Sequence, residues 1–533
     1  MSALMSIGKT AMFASYSALQ TTGNNIANAN TVGYSRQDTQ LADAPSQFTG
    51  SGFFGKGVDV TTVARSYNQF LTSQAVATNS TSAADAARSD KLTQLETVFP
   101  IGADGVGAAA GALMNSFVDV ANNPGDASSR QVVLSQAQEL SSRFQAGADQ
   151  LSSLQSGVTQ DVKTSVDTLN TYAKQVAVLN SQITVLKGAG QPPNQLLDER
   201  DQLVKQISSI VNVTTIPADD GSVGVFIGGG QSLVLGATVN TVKAVPDSFD
   251  PSKVMLTLAE GASNREIPPD ALSGGSLAGL MKFQNEDLNA AQNLLGQMAA
   301  AVSGAVNTQQ SLGLDLGQPA GPGAAIFSVG APRVLAASNN NGSATLTATT
   351  NDASKLQASD YSVGFDGANY TLTRNVDQSA VTGSPFTAAQ LAAGVDVDGV
   401  TLTLTGGSAV SGDRFLVQPV TTAAQTMQTV LGSTKGIAAA SPFTATVGVD
   451  NTGTASVASL AAVSPTYNGV LNASITFTSN TGDYDWTLSD GSIGSGTWTA
   501  GTPIALNGFA LNLNGVPNSG DIIAVSPTVA TGS

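Results

Sequence analysis

One long heptad repeat limits the folds open to this chain more than any other part of its sequence. From Leu140 onward, mostly apolar residues recur at alternating steps of three and four. The repeat comprises Leu140, Phe144, Ala148, Leu151, Gln155, Val158, Val162, Ser165, Leu169, Tyr172, Val176, Leu179, Ile183 and Leu186. This spacing predicts a single helix with one buried stripe. A helix over residues 127–187 is roughly 90 Å long at 1.5 Å per residue, so we expect an elongated helical rod.

Shorter helical patterns surround this repeat and place it in one domain. Apolar residues follow helical spacing over 67–120, 196–211 and 277–309. Between the second and third of these segments, strand-like runs are separated by Asp-Asp-Gly and Gly-Gly-Gly turns, which predicts a small β insertion at about 212–272. We therefore expect a helical rod domain over residues 67–330 that carries this insertion.

After residue 330 the chain changes to a β-rich pattern that repeats internally. Asp-Gly and Asn-Gly dipeptides, which are typical of two-residue hairpins, separate runs of Val, Leu, Thr and Tyr. The segment 395–419, VDVDGVTLTLTGGSAVSGDRFLVQP, matches 504–527, IALNGFALNLNGVPNSGDIIAVSP, with a gap of one residue. This repeat predicts two related β-rich modules in tandem, 331–435 and 436–533. The expected fold class is α+β and multidomain, with no further helix after about residue 309.

The N-terminal segment, residues 1–66, predicts a coiled-coil helix over 2–30 and then an extended linker. The helix has two apolar stripes. The first comprises Met5, Met12, Leu19 and Ile26, and the second comprises Leu4, Ile7, Ala11, Ala14 and Ala18. Such spacing calls for a partner helix from elsewhere in the chain or from another subunit. On periodicity alone, an ordinary amphipathic helix that packs on its own domain fits equally well.

The composition argues against several functional classes. The 533 residues contain no histidine and no cysteine, which removes the commonest general base, metal ligand and thiol nucleophile. A net charge of −16 with 22 dispersed basic residues is unsuited to nucleic acid or anionic membranes. No apolar run reaches the roughly 20 residues of a bilayer-spanning helix, and the N-terminus is a poor secretory signal. We expect no enzyme activity, no cofactor and no membrane insertion.

Three sequence patterns resemble ligand sites, and each has a stronger structural explanation. The GVGAAAG run at 105–111 imitates a dinucleotide-binding loop, but no buried strand precedes it. The acidic run at 198–201 could supply an acid and a base, although a solvated helix face is the stronger interpretation. The Gly-Asp pairs that end at Asp413 and Asp521 lack calcium-loop spacing and are typical of turns. The sequence therefore predicts no catalytic, cofactor-binding or metal residues.

Three further motifs are informative because of their order along the chain. The first is Asn25-Ile26-Ala27-Asn28, continued by Thr31-Val32-Gly33-Tyr34-Ser35-Arg36-Gln37. The second is Gly55-Lys56-Gly57-Val58 with Arg65-Ser66-Tyr67-Asn68-Gln69-Phe70-Leu71. The third joins Asn122-Asn123-Pro124-Gly125-Asp126 to Asn194-Gln195-Leu196-Leu197-Asp198-Glu199-Arg200-Asp201. Together they resemble the flagellar hook-associated protein 1 family over most of residues 1–330. The family-motif residues of the first passage are Asn25, Asn28, Thr31, Gly33, Tyr34, Arg36 and Gln37.

The resemblance implies a structural protein of the bacterial flagellum that is exported, uncleaved, by the type III apparatus and located outside the cell. Its implied role is that of an adaptor between hook and filament that assembles through its terminal helix. The expected interface residues are Leu4, Met5, Ile7, Ala11, Met12, Ala14, Ala18, Leu19 and Ile26. Implied partners are the hook protein, the second junction protein, other copies in a ring-like axial assembly, and an export chaperone if a C-terminal region exists.

Two other functions stay open at this point. The chain could be another axial protein of the flagellum, such as a hook or distal rod protein, or a surface adhesin that acts through its β modules. Family members also end in a long helical region that pairs with the N-terminal helix, whereas this sequence stops at Ser533 after a predicted strand. We interpret the sequence as incomplete, and we expect residues 1 to about 65 to be poorly packed in the chain alone.

Overall fold

The computed structural model has the α+β, multidomain fold class that the sequence predicts. It describes residues 3–48, 50, 52–188, 191–261, 263–318, 320–464 and 471–528. The chain forms two compact units. Unit 1 consists of Met1–Thr97 and Ser152–Asn289, and unit 2 consists of Val98–Leu151 and Ala290–Ser533.

The N-terminal segment is one helix followed by two nested hairpins. Its elements are α1 (Ala3–Ala27), β1 (Gln37–Asp43), β2 (Gln47–Phe48), β3 (Phe53–Phe54) and β4 (Val58–Arg65). Strand β1 pairs antiparallel with β4 from Gln37–Arg65 to Asp43–Val58, and β2 pairs with β3 inside that hairpin. The segment that the sequence predicts to be extended is extended in the structure, and it pairs with itself as two hairpins. Strand β1 reads QDTQLAD and is mostly exposed, so it has no apolar alternation by which the sequence could reveal it.

Six further α-helices follow α1 before the first β module. They are α2 (Gln69–Glu96), α3 (Val106–Asn122), α4 (Ala127–Gly188), α5 (Asn194–Ile210), α6 (Gly275–Lys282) and α7 (Asn289–Ser311). Polar side chains fix two of their starts. The Asn68 side chain accepts the N–H of Leu71 at the start of α2, and Asp126 accepts the N–H groups of Ser128 and Ser129 at the start of α4. Both are N-cap contacts, which satisfy backbone donors that a helix cannot pair internally.

Helix α4 is the helix that the heptad repeat predicts, and it is 62 residues long. Residues 189 and 190, in the predicted end of the rod, lie outside the described residues. Its buried stripe drifts slightly from the predicted positions. Val166 and Ala173 are buried, whereas the predicted Ser165 and Tyr172 are only half-buried. A straight helix has 3.6 residues per turn, so a stripe that starts in a seven-residue register moves round the helix along its length.

Two small sheets lie between α5 and α6 in unit 1. Their strands are β5 (Val213–Pro217), β6 (Val223–Ile227), β7 (Gln231–Leu235), β8 (Thr238–Val239), β9 (Thr241–Pro246), β10 (Val254–Glu260) and β11 (Ser263–Ile267). Two asparagines of α4 hold them. Asn180 donates to Val223 O and accepts the Val223 N–H, and Asn170 does the same with Val242. Each amide therefore pairs with a strand as a neighbouring backbone would.

The helix predicted over 277–309 is divided by a π-helical turn at Phe283–Leu288, between α6 and α7. The turn places the buried side chain of Gln284, whose Oε1 accepts from Gln155 at 3.0 Å while its Nε2 donates to Val254 O. Gln155 is one of the polar residues in the predicted apolar stripe. A buried amide needs partners of this kind, and Gln284 supplies one.

The first β module belongs to unit 2. Its elements are β12 (Phe327–Ser328), β13 (Arg333–Ala336), β14 (Thr345–Thr350), β15 (Tyr361–Phe365), β16 (Asn369–Arg374), β17 (Ser379–Ala380), β18 (Phe386–Thr387), α8 (Ala388–Ala393), β19 (Val395–Val397), β20 (Val400–Gly406), β21 (Arg414–Gln418), α9 (Ala423–Thr426) and β22 (Gln428–Thr429). The prediction that helices end near residue 309 was therefore wrong, because α8 and α9 follow. Helices this short have too few turns to show a period in the sequence.

The second β module has the same strand order. Its strands are β23 (Phe443–Val447), β24 (Ser456–Ala462), β25 (Ala473–Phe477), β26 (Asp483–Leu488), β27 (Ile493–Thr497), β28 (Ile504–Leu506), β29 (Phe509–Asn514) and β30 (Ile522–Pro527). The sheet β13-β21-β15-β16-β17 corresponds to β23-β30-β25-β26-β27, and β14-β20-β19 corresponds to β24-β29-β28. Each module has a buried apolar cluster of its own. The sequence repeat is thus a repeat of topology.

The Gly-Asp pairs form equivalent turns in the two modules. The Asp413 carboxylate accepts the N–H groups of Val410, Asn341 and Gly342. The Asp521 carboxylate accepts the corresponding N–H groups of Asn518, Thr452 and Gly453. Backbone donors occupy both carboxylates, which agrees with the turn interpretation.

Candidate assembly interface

Helix α1 has two sides with different surroundings. One side packs on the β1–β4 hairpin, where Ala14 is 3% exposed and Ala18 is half-buried. Thr21 Oγ1 lies 2.9 Å from Thr39 Oγ1 on β1. The chain's own hairpin covers this side of the helix. Among the described residues up to residue 65, however, Ala14 is the only buried one, which agrees with the expectation that residues 1 to about 65 are poorly packed.

The opposite side of α1 is uncovered in the described structure. Met5, Met12, Leu19 and Ile26 are each between 65% and 73% exposed. At 100° per residue, these four positions fall roughly opposite Ala14 on the helix. The heptad stripe thus presents one exposed apolar side chain every two turns along this side of the helix.

The other predicted interface residues differ in exposure. Leu4, Ile7 and Ala11 are exposed, and Leu4 is among the most exposed apolar residues of the chain. Ala14 and Ala18 are turned toward the hairpin. At 100° per residue, Ile7 and Ala11 fall on the same side of the helix as these two alanines, and Gly57 of the hairpin lies against Ile7. The structure therefore places the seven-residue stripe on the free side of α1 and most of the second stripe on the side of the hairpin.

The family-motif residues form the turn that leads from α1 into β1. Asn25 Oδ1 accepts from Tyr34 Oη at 2.8 Å and from the Gln37 N–H at 2.9 Å, while Asn25 Nδ2 donates to Gln37 O. Gly33 has a φ of +85°, in the region that favours glycine. These bonds fix the angle between helix and hairpin.

The remaining motif residues have local roles. Asn28 Nδ2 donates to Asn24 Oδ1 at 2.9 Å, and Thr31 Oγ1 donates to Asn28 Oδ1 at 3.3 Å. Arg36 forms an exposed ion pair with Asp38 at 3.0 Å. The motif is therefore mainly a structural turn, and the free apolar surface lies on the helix before it.

A buried ion-pair cluster joins the end of β4 to α5. Arg65 Nη1 lies 2.7 Å from Asp198 Oδ1 and 2.9 Å from Asp201 Oδ2. Asp198 also accepts the Ser35 N–H at 3.1 Å. The side chains of Arg65 and Asp198 are 8% and 10% exposed. The interpretation of this acidic run as a solvated helix face was therefore wrong for Asp198, whereas Glu199 is exposed as expected.

Electrostatics distinguish the two arginines of this region. Burial by itself lowers the pKa of Arg65, but the hydrogen bonds and charges of Asp198 and Asp201 outweigh it and raise the pKa above its ordinary value. Burial lowers the pKa of Arg200, which donates to Gly221 O at 2.7 Å and to Asn180 Oδ1 at 3.3 Å. Asp198 and Arg65 are more than 130 residues apart, so no local pattern in the sequence reveals their pairing.

Aromatic residues of the N-terminal segment form an exposed set that the sequence motifs do not indicate. Among the described residues, the exposed aromatic side chains all lie between residues 13 and 70. They are Phe13, Tyr16, Phe48, Phe53, Phe54, Tyr67 and Phe70. The signal available in the sequence is the Phe-Phe pair within a glycine-rich linker, which has no strand or helix of its own to bury it.

Comparison with known proteins identifies the family. The model described as "Flagellar hook-associated protein FlgK helical domain" matches residues 92–327, and "Flagellar hook-associated protein 1, D2-like domain" matches 335–419. Flagellar hook-associated protein 1 of Escherichia coli K12 is 35% identical over 444 residues, which is 83% of this chain and 80% of that protein. The chain belongs to the flagellar hook-associated protein 1 family.

Other members of the family agree with this assignment. Flagellar hook-associated protein 1 of Salmonella typhimurium LT2 is 36% identical over 449 residues, which cover 83% of this chain and 79% of that protein. The solved structure of the flagellar hook junction protein FlgK from Burkholderia pseudomallei has a TM-score of 0.73 and 28% identity, and the match covers 86% of this chain and 87% of that one. The family fold thus extends over most of the chain.

A third family model, "Flagella basal body rod protein", matches residues 5–34. This range contains the exposed stripe of α1 and most of the turn that follows it. No described helix is long and apolar enough to cross a membrane. Within the same described ranges, Asp and Glu form no group of three or more that could hold a metal ion.

Proposed function

We propose that this chain is a non-enzymatic structural adaptor of the bacterial flagellum, located outside the cell at the junction between hook and filament. The observation that carries the proposal is the exposed stripe of Met5, Met12, Leu19 and Ile26 on α1. Membership of the hook-associated protein 1 family also supports the proposal, because the curated relatives of this chain carry that name.

The stripe is suited to assembly for a physical reason. Full burial of a side chain of this size is worth roughly 1.5–3 kcal/mol, so four of them in a row strongly favour a partner. A repeat of seven residues packs best against a second helix with the same repeat. Because the hairpin covers the other side of α1, the side that remains free is the one that a neighbouring helix would contact.

The proposed partners are the hook protein, the second junction protein and other copies of this chain in a ring-like axial assembly. An export chaperone is a further partner if the natural chain has a C-terminal region. Export occurs through the flagellar type III apparatus without cleavage of a signal peptide. The family membership supports flagellar partners in general, and the free stripe supports contact through α1.

The proposal also assigns parts of the chain to tasks. Residues 1–66 form the assembly segment, 67–330 form the helical domain with its β insertion, and 331–435 and 436–533 form two β-rich modules. Separate apolar clusters in the two modules support this last boundary. The compact units of the structure divide the helical region differently, at Thr97, Leu151 and Asn289.

One other function has a specific observation in its favour. The rod-protein model matches residues 5–34, which would fit a rod or hook subunit. Two matches speak for the junction instead, since the helical-domain model covers 92–327 and the D2-like model covers 335–419. The N-terminal match is explained if axial proteins share their assembly segment and differ in the domains attached to it.

Deletion of the gene tests the function directly. We expect cells with complete hooks, no attached filaments and filament subunits released into the medium. Expression of the intact gene from a plasmid should restore filaments and swimming. Normal filaments in the deletion strain would refute the junction assignment, and loss of the hooks themselves would favour a rod or hook subunit.

A further inference from the structure

The first β module is inserted between two strands that pair with each other. Strand β12 leads into the module and β22 leads out of it, and the two pair antiparallel from Phe327–Thr429 to Ser328–Gln428. After β22 the chain continues through residues 430–440, here called the return segment, and the second module starts with β23 at Phe443. The return segment therefore carries the chain from one module to the next.

A buried arginine of α4 holds the return segment. Arg130 Nη1 donates to Ile437 O at 2.5 Å and to Thr434 O at 3.3 Å, and Arg130 Nε donates to Pro124 O at 2.7 Å. The side chain is 1% exposed and is among the largest fully buried side chains of the described structure. One guanidinium thus joins the turn before α4 to the return segment.

Backbone carbonyls satisfy the buried charge of Arg130. All of the hydrogen bonds that it forms with described residues end on such carbonyls. Burial lowers the pKa of the guanidinium, and the charge of Asp315 opposes this effect. A buried cation is unfavourable unless its donors have partners, so the burial of Arg130 depends on the return segment lying in place. The rigid fork of a guanidinium reaches two segments at once, which the point charge of a lysine cannot do.

Other contacts fix the return segment as far as Ala440. Gln310 Oε1 in α7 accepts the Ala438 N–H at 2.7 Å. The Leu314 N–H donates to Ala440 O at 2.9 Å, and the Ala439 N–H donates to Leu314 O at 3.1 Å. These bonds join the segment to α7 and to the chain that follows α7, so the return segment is part of the helical framework of unit 2.

The bonding partners change between Ala440 and Ser441. Ser441 O accepts from Thr528 Oγ1 at 2.7 Å, and Pro442 O accepts the Thr528 N–H at 2.9 Å. Thr528 directly follows strand β30 of the second module. Ser441 and Pro442 are therefore tied to the second module, whereas the residues up to Ala440 are tied to the helices.

An apolar cavity lies beside this change of partners. Its volume is about 510 Å³, and it is bounded by α3, α7, the return segment and strand β24 of the second module. Apolar side chains line most of it, among them Met114, Phe117, Val306, Leu312, Pro442 and Leu460. Side chains that face an unfilled space lose the packing contacts they would otherwise make. Packing at this place therefore leaves the second module room to move.

We infer that the second β module is mounted on a joint, with Ala440–Ser441 as its pivot and Arg130 as the residue that fixes its base. The return segment is the immobile side of the joint, and the module moves as a body from Ser441 onward. Arg130 is a positioning residue, because it acts on the module through the return segment. The inference concerns the mounting of the module and goes beyond the proposed function, so the failure of either leaves the other standing.

Distances between spin labels test the joint directly. The chain contains no cysteine, so Leu294→Cys in α7 and Ile493→Cys in β27 give two unique labelling sites, both exposed. Double electron–electron resonance then measures the distribution of distances between the two labels in the full chain. Arg130→Met removes every donor of the guanidinium and should widen this distribution at least twofold. A distribution of unchanged width would overturn the inference.

Two controls separate the joint from a general loss of structure. Arg143→Met removes another arginine of α4, which donates to Ala103 O and Gly105 O, and it should leave the width unchanged. Labels at Leu294→Cys and Val376→Cys report on the first β module, and their distribution should stay narrow in Arg130→Met. Widening for both modules, or equal widening in Arg143→Met, would show that Arg130 has no specific role at the joint.

Amide hydrogen exchange gives an independent measurement. In Arg130→Met, the Ala438 and Ala439 amides should exchange at least tenfold faster, because the return segment loses its anchor. Arg130→Lys reaches only one of the two segments and should give an intermediate rate, and it carries the test if the methionine variant does not fold. Amides of β25, in the core of the second module, should keep the wild-type rate. Wild-type rates in the return segment of the Arg130 variants would contradict the inference.

Discussion

The N-terminal segment and the first β module differ in how far their large apolar side chains are exposed to solvent. From Leu4 to Leu71, large apolar residues are exposed along the helix, the hairpins and the start of α2. Among the described residues of 331–435, the exposed ones are only Val376, Val410 and Val430. The module therefore completes its own core. The N-terminal segment leaves an apolar surface uncovered, as expected of a part that other subunits complete.

This difference in exposure shows that apolar patterns in the sequence can reflect either folding of the chain itself or assembly with other subunits. In the module, strand alternation coincides with burial, as for Leu346 and Ala348 on β14. On α1 the most regular apolar period belongs to the side that the hairpin leaves free. Periodicity alone thus indicates that an apolar side chain needs a packing partner. The structure is needed to show whether that partner belongs to the same chain.

The largest expected effect comes from charging the free stripe. Met12→Glu with Leu19→Glu should abolish filament attachment, because charged side chains oppose burial between helices. The purified variant should melt within a few degrees of the wild type, since both side chains are already in water. Electron microscopy counts the filaments and circular dichroism follows unfolding. Val376→Glu, on the surface of the first β module, is the control. Normal filaments in the double variant would show that the exposed apolar residues of α1 are no more important for assembly than those of the module.

The next effect concerns the attachment of the N-terminal segment to α5. Arg65→Ala leaves the carboxylates of Asp198 and Asp201 without their partner, and loss of one partner from a buried pair costs about 3–5 kcal/mol. Amide hydrogen exchange in β1 and β4 should accelerate accordingly. Arg36→Ala removes an exposed pair and should change stability by only about 0–1 kcal/mol. Equal exchange rates in the two variants would show that the buried cluster does not hold the segment.

A core substitution tests whether the modules are separate. Ile475→Ala should destabilise the second module by roughly 2–5 kcal/mol, since the Ile475 side chain is fully buried in its cluster. Limited proteolysis should then cut within 436–533 and leave the first module resistant. The exposed Ile493→Ala is expected to change stability by less than about 0.5 kcal/mol. Simultaneous loss of resistance in both modules would show that they unfold as one body.

The smallest expected effect is a dependence of the stability of the two β modules on pH. The Val410 N–H and two other backbone donors lower the pKa of Asp413. Burial raises the pKa of Asp521, but the N–H groups of Asn518, Thr452 and Gly453 outweigh it and lower the net value. A lowered folded-state pKa stabilises the fold fully above the ordinary carboxyl pKa of about 4, and this stabilisation is lost as pH falls through the folded value.

Thermal unfolding between pH 7 and pH 3 measures this dependence, and the melting temperature should fall below about pH 4. In Asp413→Asn, part of the dependence should disappear along with part of the stability at neutral pH. A melting temperature that is flat over this range would contradict the role assigned to the two carboxylates.

Much of the architecture could be predicted from the sequence because its signals are local and repeated. The long helix α4 follows from its heptads, and the tandem modules follow from matched turns such as Asp398-Gly399 and Asn507-Gly508. Strand β1 could not be predicted, because a strand whose side chains are mostly exposed shows no alternation of apolar and polar residues. The π-helical turn at Phe283–Leu288 is equally invisible, since the residues on either side keep helical spacing.

The candidate interface could be predicted only in part. The stripe of Met5, Met12, Leu19 and Ile26 was found from its period, whereas the burial of Ala14 depends on a hairpin that the sequence did not reveal. The pairing of Arg65 with Asp198 depends on the tertiary fold, so the run of charges alone predicts a solvent-facing surface. Long-range contacts of this kind have no signature within one stretch of a single sequence.

The Arg65 cluster has a mechanical consequence under the proposed function. A rotating filament exerts torque on the subunits that attach it, and in this chain the force enters through α1 and its hairpins. The contacts between β4 and α5 that would carry part of this force include one guanidinium with two carboxylates and the hydrogen bond from Asn194 to Val63 O. Because these bonds are shielded from water, they yield less readily to shear than exposed pairs. The cluster would thus act as a mechanical coupling between the N-terminal hairpin and α5.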